Sequence, residues 1–116
     1  MVSYDQLRNL ALSFPEATES PHFEKSSFRI KKKIFATYDA SNHRACLKLS
    51  EVDQDVFSAI DRQAIFPVEN KWGKMGWTFV DLNQVDHKVF TDALTQAYCE
   101  VAPVKLAELV RRSGLY

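Results

Sequence analysis

An alternating pattern between residues 27 and 49 constrains the fold most strongly. Three segments, 27–31, 34–39 and 44–49, have the period of two or the β-rich composition that strands favour. They are separated by Lys31-Lys32-Lys33 and by residues 40–43, and each of these connections is so short that it can form only a tight turn. Strands joined by tight turns pair antiparallel, so this region predicts a three-stranded meander.

A second informative stretch, residues 70–82, holds both tryptophans and two of the three glycines. Residues from Trp77 onward alternate, which predicts a strand with Trp77, Phe79 and Asp81 on one face. The apolar run 64–68 contains Pro67, which cannot donate to a ladder, so we expect an edge strand or the start of a hairpin there.

The segment between these two strands is too long for a two-residue turn. We therefore expect a protruding loop that carries Lys71, Trp72 and Lys74, with Gly73 and Gly76 at a turn. Either this loop offers cations and an aromatic ring to a ligand, or its tryptophan folds back into the core and its lysines are merely solvated.

Helical spacing predicts three helices and leaves open a short fourth. The first runs from Ser3 or Tyr4 to about Ser13. Ser50 caps the second, whose apolar stripe is Val52, Val56, Phe57 and Ile60. Asn83 caps the third, from Gln84 to about Ala102, and Pro103 breaks it or opens a last helix that Arg111, Arg112 and Gly114 stop. Residues 16–25 are expected to form a loop.

Length and composition predict one domain, residues 1–116, of an ordinary globular kind. No apolar run approaches membrane-spanning length and no signal-peptide pattern is visible, so we expect a cytoplasmic, bacterial-type protein without a membrane association. The net charge is zero but uneven. Residues 22–50 carry seven Lys/Arg against two acids, a balance of +5, and residues 51–68 have a balance of −3.

No catalytic or metal-binding pattern stands out. Cys46 and Cys99 are far apart in apolar surroundings, which indicates buried free thiols. The three histidines lack metal-ligand spacing, and no nucleophile has an assignable base. We therefore expect no catalytic residues, no metal and no cofactor, and an enzyme is the least favoured class.

Strand parity places Arg29, Lys31, Arg44 and Lys48 on the outward face of the sheet, together with Cys46. Such a basic face is either the solvated side of a sheet that packs on one side only or a surface that contacts phosphate. The pattern alone leaves both interpretations open.

Four stretches resemble one known family over nearly the whole chain; they are 10–19, 28–36, 70–78 and 97–103. The chain resembles the MmcQ/YjbR proteins, small bacterial domains usually labelled DNA-binding. The resemblance implies an α+β fold of two layers, with a five-stranded antiparallel sheet and helices on one face, like type III secretion chaperones. The predicted order of elements is α-β-β-β-α-β-β-α.

Two functions follow as hypotheses. The first is weak, largely sequence-independent binding of DNA through the sheet and hairpins. Its candidate contact residues are Arg29, Lys31, Lys32, Lys33, Arg44, Lys48, Lys71, Trp72 and Lys74. The alternative is a chaperone-like module, monomeric or homodimeric, that binds a protein through an outward face carrying Ile34, Ala36 and Tyr38 beside Cys46.

Overall fold

An antiparallel sheet with helices packed on one face forms the molecule, in a computed structural model that describes residues 1–22 and 25–113. The strands are β1 (Thr18–His22), β2 (Lys25–Ile30), β3 (Lys33–Asp39), β4 (Arg44–Lys48), β5 (Ile65–Pro67) and β6 (Trp77–Asp81). The helices are α1 (Tyr4–Ser13), α2 (Glu51–Ile60), α3 (Lys71–Lys74), α4 (His87–Val101) and α5 (Val104–Ser113).

The strands lie in the order β1-β2-β3-β4-β6-β5, and every neighbouring pair is antiparallel. The meander predicted for residues 27–49 is therefore confirmed, as is the edge position of the strand that contains Pro67. One row of paired residues crosses all six strands on the side away from the helices: Ser20, Ser27, Thr37, Cys46, Phe79 and Phe66. We call this side the outer face.

The core lies between the other face of the sheet and the helices. Three buried aromatic rings join its layers, because Phe14 after α1 stacks on Tyr98 of α4 and both meet Phe35 of β3 edge-on. Leu7 and Ala11, about one turn apart on α1, are fully buried. The buried face of α4 is largely apolar and includes Phe90, Ala93, Leu94, Ala97 and Tyr98.

A β-bulge in β3 changes which residues face outward. Phe28 pairs with Ala36 and Arg29 with Ile34, so Phe35 is the extra residue of the bulge. Ile34 stays on the outer face, whereas Ala36 is fully buried and Tyr38 packs on Tyr4 of α1 at a centroid distance of 4.7 Å. The prediction that Ala36 and Tyr38 face outward was wrong, because strict alternation does not continue through a bulge.

The sheet has six strands in the described part of the chain, not the predicted five. The segment predicted as a loop, 16–25, contains β1 and the first residue of β2, and its residues 23 and 24 lie outside the described residues. β1 tolerates Pro21 because it is an edge strand with only one partner. The Ser27 hydroxyl donates to the carbonyl of Ser20 at 2.9 Å and fixes the two strands.

Helix α2 begins at the predicted cap, where the Ser50 hydroxyl accepts a hydrogen bond from the backbone N–H of Asp53. Its predicted apolar stripe is wrong except for Phe57, because Val52, Val56 and Ile60 are exposed by 71%, 50% and 56%. Gln54 is buried instead. Its amide nitrogen lies 2.9 Å from the carbonyl oxygen of Gly73 and 3.0 Å from the hydroxyl of Thr78, so a polar side chain sets the rotation of this helix.

The long helix α4 starts three residues later than predicted. Asp86 is its cap and accepts from the backbone N–H groups of Lys88 and Val89. Asn83, the predicted cap, instead donates its backbone N–H to the carboxylate of Asp81 in a turn. Pro103 separates α4 from α5, and Arg111 and Arg112 lie in the last turn of α5 as predicted, whereas Gly114 lies outside the described residues.

The turn between β2 and β3 has an unusual composition. Ile30 pairs with Lys33, so Lys31 and Lys32 form a two-residue hairpin loop, and both have positive φ angles, 52° and 70°. Such turns favour Asn-Gly, because a side chain with a Cβ is strained in the left-handed region. Two lysines therefore occupy strained backbone positions at the tip of the hairpin.

Relief of this strain gives a first prediction. We expect Lys32→Gly to raise the free energy of unfolding by about 1 kcal/mol in a urea titration, because glycine adopts positive φ without a steric cost. Lys33→Gly is the matched control. It removes the same charge one residue later, where the backbone is a strand, and it should lower stability. Equal changes in the free energy of unfolding for the two substitutions would contradict the presence of backbone strain at Lys32.

Candidate nucleic-acid interface

An open groove of about 380 Å³ lies on the outer face, between the middle of the sheet and α3. Most of its lining is aromatic or aliphatic, and it consists of Lys25, Ile34, Thr37, Cys46, Val68, Trp72, Trp77 and Phe79. Cys46 and Phe79 pair across β4 and β6, and Phe66 extends the aromatic surface by lying 5.9 Å from the Phe79 ring. This apolar patch lies on the sheet face that carries the predicted basic residues.

Helix α3 fixes the position of Trp72 at the rim of this groove. The predicted protruding loop is wrong, because residues 71–74 form a helical turn capped by Asn70, whose side chain accepts from the Trp72 N–H at 2.9 Å. A Cβ on Gly73 would overlap the carbonyl oxygen of Val68, so the close packing of this turn requires glycine. Gly76 has a φ of 103° and ends the turn.

The two tryptophans occupy intermediate positions between core and solvent. Trp72 is 48% exposed, which excludes the prediction that it folds fully into the core, and Trp77 is half-buried on the outer face. Both rings line the groove. The alternation predicted from Trp77 onward is confirmed, since Thr78 and Val80 are fully buried on the other face.

The predicted cations differ in their positions relative to the groove. Arg29 lies on the outer face, where its Nε donates to the Ser27 hydroxyl at 3.1 Å. Lys33 and Lys48 line a smaller depression beside Trp77, which also contains the carboxylate of Glu100. Lys71 Nζ lies 5.5 Å from the centre of the Trp72 ring. Lys32 and Lys74 are exposed at the hairpin tip and at the end of α3.

Two predicted cations already have partners within the protein. Lys31 Nζ lies 2.7 Å from the carboxylate of Glu16, in an exposed ion pair. The Arg44 guanidinium sits over the Phe79 ring at 3.9 Å, with one nitrogen 3.8 Å from a carboxylate oxygen of Asp39. These two side chains are therefore less available to a ligand than the lysines near Trp72 and Trp77.

The cysteines differ in their surroundings. Cys99 is buried in α4, as predicted, whereas Cys46 is half-buried in the floor of the groove. Burial raises the pKa of the Cys46 thiol to about 11, although the nearby cations Lys25 and Arg44 lower it in part. A thiol with so high a pKa is protonated at neutral pH and contributes apolar surface to the groove.

A wider polar depression of about 810 Å³ lies at the other end of the sheet and is lined by Tyr4, Glu19, Tyr38 and residues of β1 and β2. Glu19 accepts from the Tyr4 hydroxyl at 2.6 Å and from Arg8 Nε at 2.8 Å. Partial burial would raise the pKa of Glu19, but the hydrogen bonds from Tyr4 and Arg8 outweigh it and hold the pKa below its ordinary value. The hydrogen bond between Tyr4 and Glu19 also raises the pKa of the Tyr4 hydroxyl.

Sequence reasoning missed several groove residues. The sequence pattern predicts a loop at Lys25 and a strand at Phe79, but it does not specify which strand lies next to Phe79. The pairing of β4 with β6 decides this geometry, because it puts Trp77 opposite Lys48 and Phe79 opposite Cys46. The alternation of both strands was visible in the sequence, but their adjacency was not.

Two further observations concern metal binding and membrane spans. Within residues 1–22 and 25–113, no group of three or more His, Cys, Asp or Glu side chains is arranged to hold a metal ion. None of the helices in that part of the chain has the length and apolar character needed to cross a membrane.

Comparison with known proteins assigns the family. A family model of YjbR domains matches residues 12–100, most of the chain. The chain belongs to the YjbR family. The resemblance to MmcQ/YjbR proteins found in the sequence is thereby confirmed, and the match spans the groove and the basic strands of this YjbR domain. A comparison with curated proteins finds no match.

A solved structure supports the same fold. The crystal structure of protein DR2400 from Deinococcus radiodurans, a DUF419 domain, is similar to this YjbR domain with a TM-score of 0.76. The two chains share 23% sequence identity over 87% of this chain and 79% of the other. At this identity the likeness confirms the α+β architecture.

The Glu19 cluster gives a second prediction. Because its folded pKa is lowered, Glu19 stabilises the fold above its ordinary pKa of 4.5, and this contribution is lost as the pH falls through the folded value. Glu19→Gln should therefore lower the free energy of unfolding by about 1 kcal/mol at pH 7 and progressively less below pH 4.5.

Urea unfolding over a pH series measures this difference. Glu108→Gln on α5, an exposed residue, is the control for the lost charge and should show little effect. A Glu19→Gln difference that stays constant down to acidic pH would mean that the Tyr4 and Arg8 bonds do not favour the charged carboxylate.

Proposed function

We propose that this YjbR domain binds DNA weakly, with little sequence preference, through the outer face and the β2–β3 hairpin. It acts in the cytoplasm by binding, not by catalysis. The observation that carries the proposal is that lysines lie near both tryptophans of one groove, Lys71 beside the exposed Trp72 and Lys33 and Lys48 beside Trp77. Phosphate contacts by such cations supply affinity that does not depend on base sequence.

The charge distribution supports this proposal despite a net charge of zero. Among the described residues, Lys25, Lys33, Lys48 and Lys71 make no ion pair with a carboxylate. Glu51, Asp53 and Asp55 lie on α2, which packs against α4 and β5. A phosphate that meets these lysines therefore does not have to displace an ion pair with a carboxylate of the described residues.

A third prediction follows for duplex DNA. Fluorescence anisotropy of a labelled duplex of about 20 base pairs should show binding at about 50 mM salt that weakens strongly by about 200 mM. Lys33→Gln/Lys48→Gln should reduce the slope of log affinity against log salt by about 2, because each lost phosphate contact removes about 0.9.

Lys88→Gln/Lys105→Gln is the matched control, since it removes the same charge from exposed positions on α4 and α5. It should leave the slope unchanged. Equal weakening by both double variants would point to net charge alone, and the absence of binding at low salt would refute binding of duplex DNA by this domain.

A second candidate function is protein binding through α2, in the form of a homodimer. The observation that favours this function is an exposed apolar stripe on α2, formed by Val52, Val56 and Ile60 at intervals of one turn. The surface first expected to serve this role does not exist as such, because Ala36 and Tyr38 lie on the helix side of the sheet. An exposed apolar helix face is a common association surface.

Sedimentation of the wild-type chain and of Val56→Lys tests this candidate, and it is the fourth prediction. The wild-type chain should form dimers as its concentration rises, and Val56→Lys should remain monomeric, because a buried unpaired charge opposes the interface. Asn9→Lys adds the same charge on α1, away from the stripe, and should behave like the wild type. A wild-type chain that stays monomeric throughout would exclude a dimer.

A further inference from the structure

We propose that the groove of the outer face receives an unpaired nucleobase, so that the preferred ligand is single-stranded nucleic acid. This inference rests on the proposed nucleic-acid function and adds the ligand class. In it, Trp72 and Trp77 contact the base and the surrounding lysines contact its flanking phosphates. Stacking on aromatic rings combined with a cationic rim is how proteins hold single strands without reading their sequence.

The position of Trp72 is the first reason. An exposed tryptophan forgoes the burial that usually stabilises such a ring. Its backbone is nevertheless fixed, by the Asn70 cap and by the packing of Gly73 under the carbonyl of Val68. The buried Gln54 amide, 2.9 Å from the Gly73 carbonyl oxygen, ties the same turn to α2. Nearly half of the Trp72 surface is therefore displayed at a defined place, ready to contact a ligand.

The charges around the groove are the second reason. Lys25 lines the groove, and Lys71 lies beside the Trp72 ring. Lys33 and Lys48 line the neighbouring depression together with Trp77. Glu100 lines the same depression as the last two lysines. A ligand with a flat apolar ring and negative charges on either side of it matches this arrangement, and a nucleotide within a strand has both.

The shape of the groove favours an unpaired base. In a duplex both faces of each base are covered by its neighbours, so only the base edges and the backbone reach a protein surface. An unpaired base can present its ring to an aromatic side chain. The volume of about 380 Å³ lies within the range of small-molecule sites, which leaves room for a base beside Trp72.

Three oligonucleotides separate the contributions of base and phosphate, and their comparison is the fifth prediction. A labelled thymidine oligomer of about 12 nucleotides carries both groups. An abasic oligomer of equal length carries the phosphates alone, and a duplex of equal length hides its bases. We expect the thymidine oligomer to bind about tenfold more tightly than the abasic one. It should also quench the intrinsic fluorescence, since both tryptophans of the chain line the groove.

Variants of Trp72 test the ring itself. Trp72→Ala should weaken binding of the thymidine oligomer about tenfold and leave the abasic oligomer unchanged, and Trp72→Phe should recover part of the loss. Met75→Ala is the matched control, because Met75 is 54% exposed on the same segment and does not line the groove. Circular dichroism confirms that each variant is folded.

The outcomes are distinguishable. Tighter binding of the thymidine oligomer that depends on Trp72 supports the inference. Equal binding of the thymidine and abasic oligomers, or a Trp72→Ala variant that binds both like the wild type, overturns the inference and leaves phosphate binding by the lysines intact. If none of the three oligonucleotides binds at low salt, the inference and the proposed function both fail.

Discussion

The bulge at Phe35 determines what each side of the sheet presents. Its ring meets Phe14 and Tyr98 edge-on, and the Tyr98 hydroxyl donates to the carbonyl of Pro15 at 2.6 Å, so α1, α4 and β3 are joined at one point. Because Phe35 and Ala36 both turn inward, Ile34 and Thr37 both remain on the outer face. The packing of the core and the apolar floor of the groove therefore have the same origin.

A second constraint is the set of hydrogen bonds that links helix α2 to the turn carrying Trp72. Gln54 is buried in α2, and its amide contacts the carbonyls of Gly73 and Trp77 and the hydroxyl of Thr78. Without these contacts the buried amide group of Gln54 would lack partners, at a substantial cost. The burial of Gln54 also turns Val52, Val56 and Ile60 toward solvent. One hydrogen-bonded amide thus places the tryptophan turn and exposes the apolar face of α2.

Local patterns in the sequence predicted the elements whose burial is periodic. The β2–β4 meander, α1 and the strand after Trp77 follow directly from alternation or helical spacing, and the caps Ser3 and Ser50 act through short-range hydrogen bonds. Features that depend on distant partners were missed. β1 is polar and contains Pro21, and it is a strand only because β2 lies beside it. The floor of the groove required the pairing of β4 with β6, which no local pattern specifies.

The same distinction explains why the basic residues predicted from parity are not equivalent. Parity correctly places Arg29, Arg44 and Lys48 on one face, but the tertiary structure gives Arg44 a carboxylate and an aromatic ring and leaves Lys48 near Trp77. A cation that is already paired gains little from a phosphate, because the new contact replaces an existing one. The cations of this face that make no ion pair with a described carboxylate therefore include the lysines near the two tryptophans, although the net charge of the chain is zero.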